Sequence, residues 1–184
     1  MQSYQCLNTQ VFKKGQYSIA PIRNQDKLKI MKWRNEQVYH LRQNKILTEV
    51  DQTHYFEHTV ADLFNQEQPN QLLFSYLKED KCIGYGGLVH INWIDKNAEI
   101  SFIMKTVLEE TSFEFHWSTY LGLIEELAFD ELGLHKIFIY AFDLRPHLYE
   151  ALEKNGYIHG ATLKEHCLFN GKFIDVIIHE KIKK

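Results

Sequence analysis

Cysteine is scarce in this 184-residue chain: Cys6, Cys82 and Cys167, odd in number and far apart. No two form a CxxC pair, so neither a disulfide framework nor a cysteine zinc site is indicated. The ten histidines contain no HExxH. His54 and His58 stand four apart on a predicted helix, but no third ligand is suggested, and no metal is expected. No apolar run reaches the roughly 18–20 residues needed to cross a bilayer, and Met1 does not open a basic-then-apolar leader. The expected address is the cytoplasm, with no membrane partner. Clustered Lys and Arg are also missing, and the net charge is −3 with both signs interspersed. That argues against nucleic acid, whose phosphates need a basic face. Repeats and low-complexity linkers are absent too, so residues 1–184 read as one domain.

Hydrophobic residues make up 45% and charged ones 24%, which is enough for a folded core. Aromatic residues reach 14%, a share that needs a use in a core or a ligand cleft. The organising stretch is 97–142: the apolar strand NAEISFIM, a linker KTVLEETSFEFH, a helix of about 20 residues, and the strand IFIYAFD. Phe113, Trp117, Tyr120, Leu121, Ile124, Leu127, Ala128 and Leu132 recur at three- and four-residue steps, with Gly133 at the expected C-cap. A strand, crossover helix and strand imply a parallel pair, with the helix N-terminus at the carboxyl end of the first strand. Unpaired amides and the helix dipole make such a place an anion site.

Ahead of it, residues 1–15 read as a tail or a short extra strand. YSIAPIR (17–23) reads as a strand pushed toward the sheet edge by Pro21. Asn24 is placed to cap a helix over 25–35, with Leu28, Met31 and Trp33 as candidates for its inner face. Thr48 and Asp51 form the capping pattern of a second helix ending near Asn65. LLFSYL (72–77) and CIGYGGLVHI (82–91) read as an antiparallel hairpin, and Gly84, Gly86 and Gly87 mark a bulge or a close backbone approach. After 142, RPHLYEALEKNGY starts a helix near Pro146 and ends it at Gly156. Asn170-Gly171 between two β-rich runs signals a two-residue hairpin turn. The sum is seven strands and four helices in one mixed α/β sheet.

This order resembles the GNAT superfamily of acyl-CoA N-acyltransferases. The resemblance spans residues 17–182 and rests on AEISFIM, LAFDELGLHKI, LYEALEKNGY and NGKFIDVIIH. WRN at 33–35, GYGGLVHINWIDKNAEISFI and the FIDV ending look most like two subgroups. One acetylates nucleotide-linked amino sugars; the other acetylates ribosomal-protein N-termini. The resemblance implies a GNAT-like, mostly antiparallel α+β sheet with a parallel, splayed central pair. It implies acetyl-CoA as co-substrate, its pantetheine arm along Ile100, Phe102, Ile103 and Met104 and its pyrophosphate near Thr111, Phe113, Phe115, His116 and Trp117. It also implies a small-molecule amine acceptor and, as in many relatives, a homodimer. Phe113 and Phe115 stand where the family's loop has glycines, Arg145 stands for its asparagine, and Leu152 for its general-acid tyrosine. These departures keep a non-catalytic binding module open beside the two enzyme readings.

An amine attacks only as the free base, so a proton acceptor is required. Glu99 is the first candidate, on the strand expected to line the cleft, if it is not merely a cross-strand carboxylate at the sheet surface. His90 closes the preceding strand and is either a base or a structural histidine. Tyr149, three residues before Leu152, is the candidate acid. Trp33, Arg34, Tyr39, His40 and Arg42 gather aromatic and basic groups where the acceptor should lie and suit an anionic or ring-bearing molecule. The alternative puts Trp33 in the core and the arginines in surface pairs.

Overall fold

The computed structural model describes residues 2–184. Eight strands form one sheet in the order β1-β2-β3-β4-β5-β6-β8-β7. They are β1 (Phe12–Lys14), β2 (Tyr17–Pro21), β3 (Leu72–Lys78), β4 (Lys81–Asn92), β5 (Asn97–Met104), β6 (Lys136–Phe142), β7 (Ile158–Phe169) and β8 (Lys172–Ile182). The strand beyond the expected seven is β1, which pairs Phe12–Lys14 with Tyr17–Ile19. It also moves β2 off the sheet edge, although Pro21 lies past the last residue that β1 covers. All pairings are antiparallel except β5 with β6.

Helices cover both faces. Lys27–Glu36 is α1; Glu49–His54 (α2) runs through a π turn into Ala61–Leu63 (α3). The expected cap at Asn24 is not made: a short 3-10 turn, Asn24–Asp26, precedes α1. Its buried Asp26 instead accepts hydrogen bonds from Arg23 Nε (2.7 Å) and Ser75 Oγ (2.9 Å). The Thr48–Asp51 box forms as read, with Asp51 N–H donating to Thr48 Oγ1 (3.1 Å) and Thr48 N–H to Asp51 Oδ2 (2.9 Å). The Asn-Gly turn also forms, with φ of 49° and 77°.

Between β5 and β6 the expected linker is partly helical. Thr106–Thr111 is α4, because Lys105 O accepts from Leu108 and Glu109 N–H, and Thr111 Oγ1 donates to Val107 O. Ser112 breaks the run at φ −146°, and α5 (Phe113–Glu125) starts after it, ending in a π turn over Glu126–Glu131. Pro146–Lys154 is α6.

Packing sets which face holds what. Tyr120 of α5 stacks on Phe102 of β5 (3.8 Å between rings, 7° apart), worth about 0.5–1.5 kcal/mol beyond burial. Its hydroxyl donates to Ser101 O at 3.1 Å. A Cβ on Gly86 would lie 2.0 Å from that carbonyl oxygen and 2.5 Å from the hydroxyl, so only glycine fits there. Alternation then turns Tyr85 and Ile103 to the other face, under α1. One face of the central strands belongs to α5, the other to α1 and α2.

Candidate active site

Only three residue pairs join β5 to β6: Asn97 with Lys136, Ala98 with Ile137, and Glu99 with Phe138. Past them the strands part, while β6 stays paired to β8 along its whole length. A cavity of about 210 Å³ opens in the gap, between Ile100–Ile103 on one wall and Ile139–Phe142 on the other. Glu99 lies at its vertex.

Glu99 is only 5% exposed, and both of its oxygens are engaged. Oε1 accepts from Arg42 Nη2 in a short ion pair, and Oε2 faces His90 Nδ1 at 2.8 Å. His90 holds φ of 51° in the bulge between Val89 and Asn92. A non-glycine residue in that region costs about 1–2 kcal/mol, and a bulge of this kind re-aims a side chain. Here it turns the imidazole onto the carboxylate. With Nδ1 protonated toward Glu99, Nε2 presents its lone pair outward, and the ring is largely exposed.

Arg42 comes from the segment after α1. Gln37 Nε2 donates to Met104 O (2.8 Å), tying the end of α1 to the end of β5. Asn35 Oδ1 accepts from Leu47 N–H and Gln43 Nε2, closing the loop that carries Arg42. The guanidinium lies 4.5 Å over the Tyr140 ring, a cation–π contact. Arg34 Nη1 donates to Tyr85 Oη at 2.6 Å and lines both the cleft and a second cavity of about 420 Å³. That second cavity lies between α1 and α2, walled by Ile30, Tyr55, Phe56 and Tyr85.

At the mouth, Arg145 Nη1 donates to Glu109 Oε1 (2.8 Å), both side chains largely buried. His116 N–H bonds back to Ser112 O, so the amides of 113–115 ahead of it have no helical acceptor. Phe113 packs edge-on against His147 at 4.4 Å, and Phe115 is 54% exposed beside Tyr17. Neither ring fills the slot.

Among the sequence candidates, the cleft brings together Glu99, Ile100, Phe102, Ile103, Trp117, Arg34, His40, Arg42 and Arg145, with His90 attached through Glu99. Others lie elsewhere. Trp33 is in the core, because one helical step from Arg34 turns it about 100°. Tyr39 is half exposed and edge-on to His40. Met104 is fully buried; Thr111 closes its own helical turn; His116 sits on the far side of α5 against Tyr76 Oη (3.1 Å). Tyr149 is not at the cleft. Its hydroxyl donates to Asp143 Oδ1 (3.0 Å), its ring stacks on His179, and burial with Asp143 pushes the phenol well up, which suits no proton donor. Sequence reasoning missed Tyr85 and Tyr140. Strand alternation in IFIYAFD does put Tyr140 opposite Ile139, which was the available signal. Burial, then Cys167, pushes the Tyr140 hydroxyl up to about 12.

His40 couples this site to stability. Burial first, then Arg145, pushes its imidazole down from 6.5 to about 3, so the fold holds it neutral. The unfolded chain binds that proton more readily, so its contribution is intact above pH 6.5 and is lost as pH falls toward 3. Denaturant midpoints at pH 7 and pH 5 should therefore fall for the native chain and fall less for His40→Gln. Equal losses in both would remove His40 as the cause.

Comparison with known proteins follows the same lines. The sequence model of the Acetyltransferase (GNAT) domain matches residues 19–178. The solved spermidine N-acetyltransferase from Vibrio cholerae in complex with CoA and spermine superposes with a TM-score of 0.79, at 19% identity over 92% of this chain and 96% of that one. A dodecameric form of that Vibrio cholerae enzyme in an intermediate state gives 0.73, at 19% identity over 92% and 95%. At such identity the superpositions establish the fold.

Proposed function

The chain belongs to the GNAT acetyltransferase family and is an acetyl-CoA-dependent N-acetyltransferase; from that premise we propose that its acceptor is a primary amine on a small anionic, ring-bearing molecule, of the nucleotide-linked amino-sugar class. The residues present fit the co-substrate: a slot between parted strands, free amides at 113–115, and Arg145 at the mouth. What acetyl-CoA supplies when bound is an activated thioester carbonyl.

The chain's own groups have the other tasks. Glu99 and His90 act as one proton-accepting unit for the amine, Glu99 holding Nδ1 so that Nε2 stays open. Arg42 holds the carboxylate in place and, with Tyr140, edges the acceptor side. The observation that carries the substrate class is two arginines on the acceptor side of one small cleft, Arg34 and Arg42, the latter through the guanidinium donors that Glu99 leaves unused. Guanidinium forks match phosphate and carboxylate and repel a polycation. The aromatic-walled cavity beside Arg34 offers room for a ring. The polyamine named for the Vibrio cholerae neighbour is the acceptor this charge pattern disfavours.

A thiol-release assay with acetyl-CoA across nucleotide-linked amino sugars, polyamines and N-terminal peptides tests the reading. The amino-sugar nucleotides should turn over fastest. Preference for a polyamine or a peptide would overturn it.

A further inference from the structure

Arg42 is a long side chain on a segment with neither helix nor strand, between His40 and Glu49. Its side chain is 46% exposed, whereas that of its partner Glu99 is 7% exposed. An ion pair with one member half in water holds a flexible arginine poorly, because fixing it in one geometry costs rotamer entropy. Among the described residues the second hold on the guanidinium is the Tyr140 ring, 4.5 Å away. A flat cation on a ring face has its plane fixed as well as its position, which one ion pair does not achieve.

Tyr140 is itself held from behind. Its hydroxyl faces Cys167 Sγ at 3.2 Å, and its ring stands edge-on to Phe142 and His166. Cys167 reaches it across a distortion of β7. Lys164, Glu165 and His166 bulge out between Leu163, opposite Val176, and Cys167, opposite Ile174. Asp175 pins the bulge: Oδ1 accepts from Glu165 N–H (2.8 Å) and Oδ2 from Lys164 Nζ (2.6 Å). Glu165 holds φ of 47° there. Of the described non-glycine residues with positive φ, Glu79, Asp80, Lys96 and Asn170 lie in turns, and only His90 and Glu165 lie inside strands. Strained bulges within strands re-aim side chains and gather at functional sites. These two end one run of contacts: Cys167 to Tyr140, Tyr140 to Arg42, Arg42 to Glu99, Glu99 to His90.

We propose that Tyr140 is a positioning residue for acetyl transfer: its ring holds the Arg42 guanidinium flat, so that Nη2 stays on Glu99 and the remaining donors stay in the cleft. The proposal rests on Glu99 and His90 being the proton-accepting unit and adds the residue that keeps their cation in place. Tyr140 takes no proton and acts through Arg42.

The test measures kcat with acetyl-CoA and whichever amine the thiol-release panel ranks first, beside coenzyme A titrations. Tyr140→Leu removes the ring face and should lower kcat about fivefold, or about 1 kcal/mol, with the Kd for coenzyme A unchanged. Tyr140→Phe keeps the face and should stay within about twofold of the native kcat. In an Arg42→Gln background, Tyr140→Leu should cause no further loss, since the ring no longer carries a cation. A native kcat for Tyr140→Leu, an equal loss in Tyr140→Phe, a matching loss of coenzyme A affinity, or losses that multiply in the double variant would each overturn the positioning role. Should Tyr140→Leu not fold, Tyr140→Met, whose unbranched side chain adapts to the space, replaces it under the same criteria. Glu99→Gln, assayed alongside, keeps the two failures apart. If it is slow while Tyr140→Leu is native, only the positioning role falls. If it turns over at the native rate, the proton-accepting unit falls and takes the inference with it.

Discussion

Glu99→Gln is expected to lower kcat by about 10²–10⁴-fold while the Kd for coenzyme A changes little. The substitution keeps the shape of a side chain that is 5% exposed at the vertex of the parted strands. It removes the charge that Arg42 and His90 both address. An amide at that position cannot take a proton from an incoming ammonium, and it no longer fixes the imidazole by charge. His90→Gln separates the two members of the pair. If Nε2 of His90 takes the proton, both variants fall by similar factors. If Glu99 takes it, His90→Gln falls much less. Initial rates of thiol release at saturating concentrations of both substrates, beside coenzyme A titrations, decide the point. A Glu99→Gln enzyme with the native rate would leave the buried carboxylate as a structural partner of Arg42 and nothing more.

What the sequence made legible were features that local physics decides. The β5–helix–β6 unit could be read because Phe113 to Leu132 keep one apolar stripe and the flanking strands are nearly continuous in apolar residues. Thr48 with Asp51 and Asn170 with Gly171 could be read because a cap and a tight turn are set by two or three neighbours. The phase of α1 was harder, since KLKIMKWRNE has little contrast between its faces, and Trp33 and Arg34 differ by a single step. TVLEETS gave no sign of α4, because a helix of 6 residues has too little length to show a period. The ion pair of Arg42 with Glu99 joins residues 57 apart in the chain, and no local pattern encodes it. Glu99 could be named from its strand, whereas its partners depended on how α1 and its loop dock. Tyr149 was misplaced for a related reason: three residues on a helix is a near neighbour only in rough terms. At Tyr149 the ring goes to His179, while Leu148 lines the cleft.

Arg145→Met is expected to destabilise the chain by about 3–5 kcal/mol, because it strands a buried charge. The Arg145 and Glu109 side chains are 12% and 7% exposed, and each is the other's ion-pair partner. Removing the cation leaves the Glu109 carboxylate desolvated with no counter-charge. Adding Glu109→Gln to Arg145→Met should restore most of the loss, since an amide costs far less to bury than a lone carboxylate. A double-mutant cycle on urea midpoints measures this, and additive losses would show that the pair is not coupled. The restored double variant then answers a question that the single cannot. Arg145 stands at the mouth of the slot, beside the free amides of 113–115, where a diphosphate would need a cation. If the stable double variant still binds coenzyme A weakly, the guanidinium serves the ligand as well as the fold, and Glu109 holds it there until the ligand's phosphates compete. If the double variant binds as the native chain does, the ion pair closes the mouth of the fold and the amides alone carry the anion.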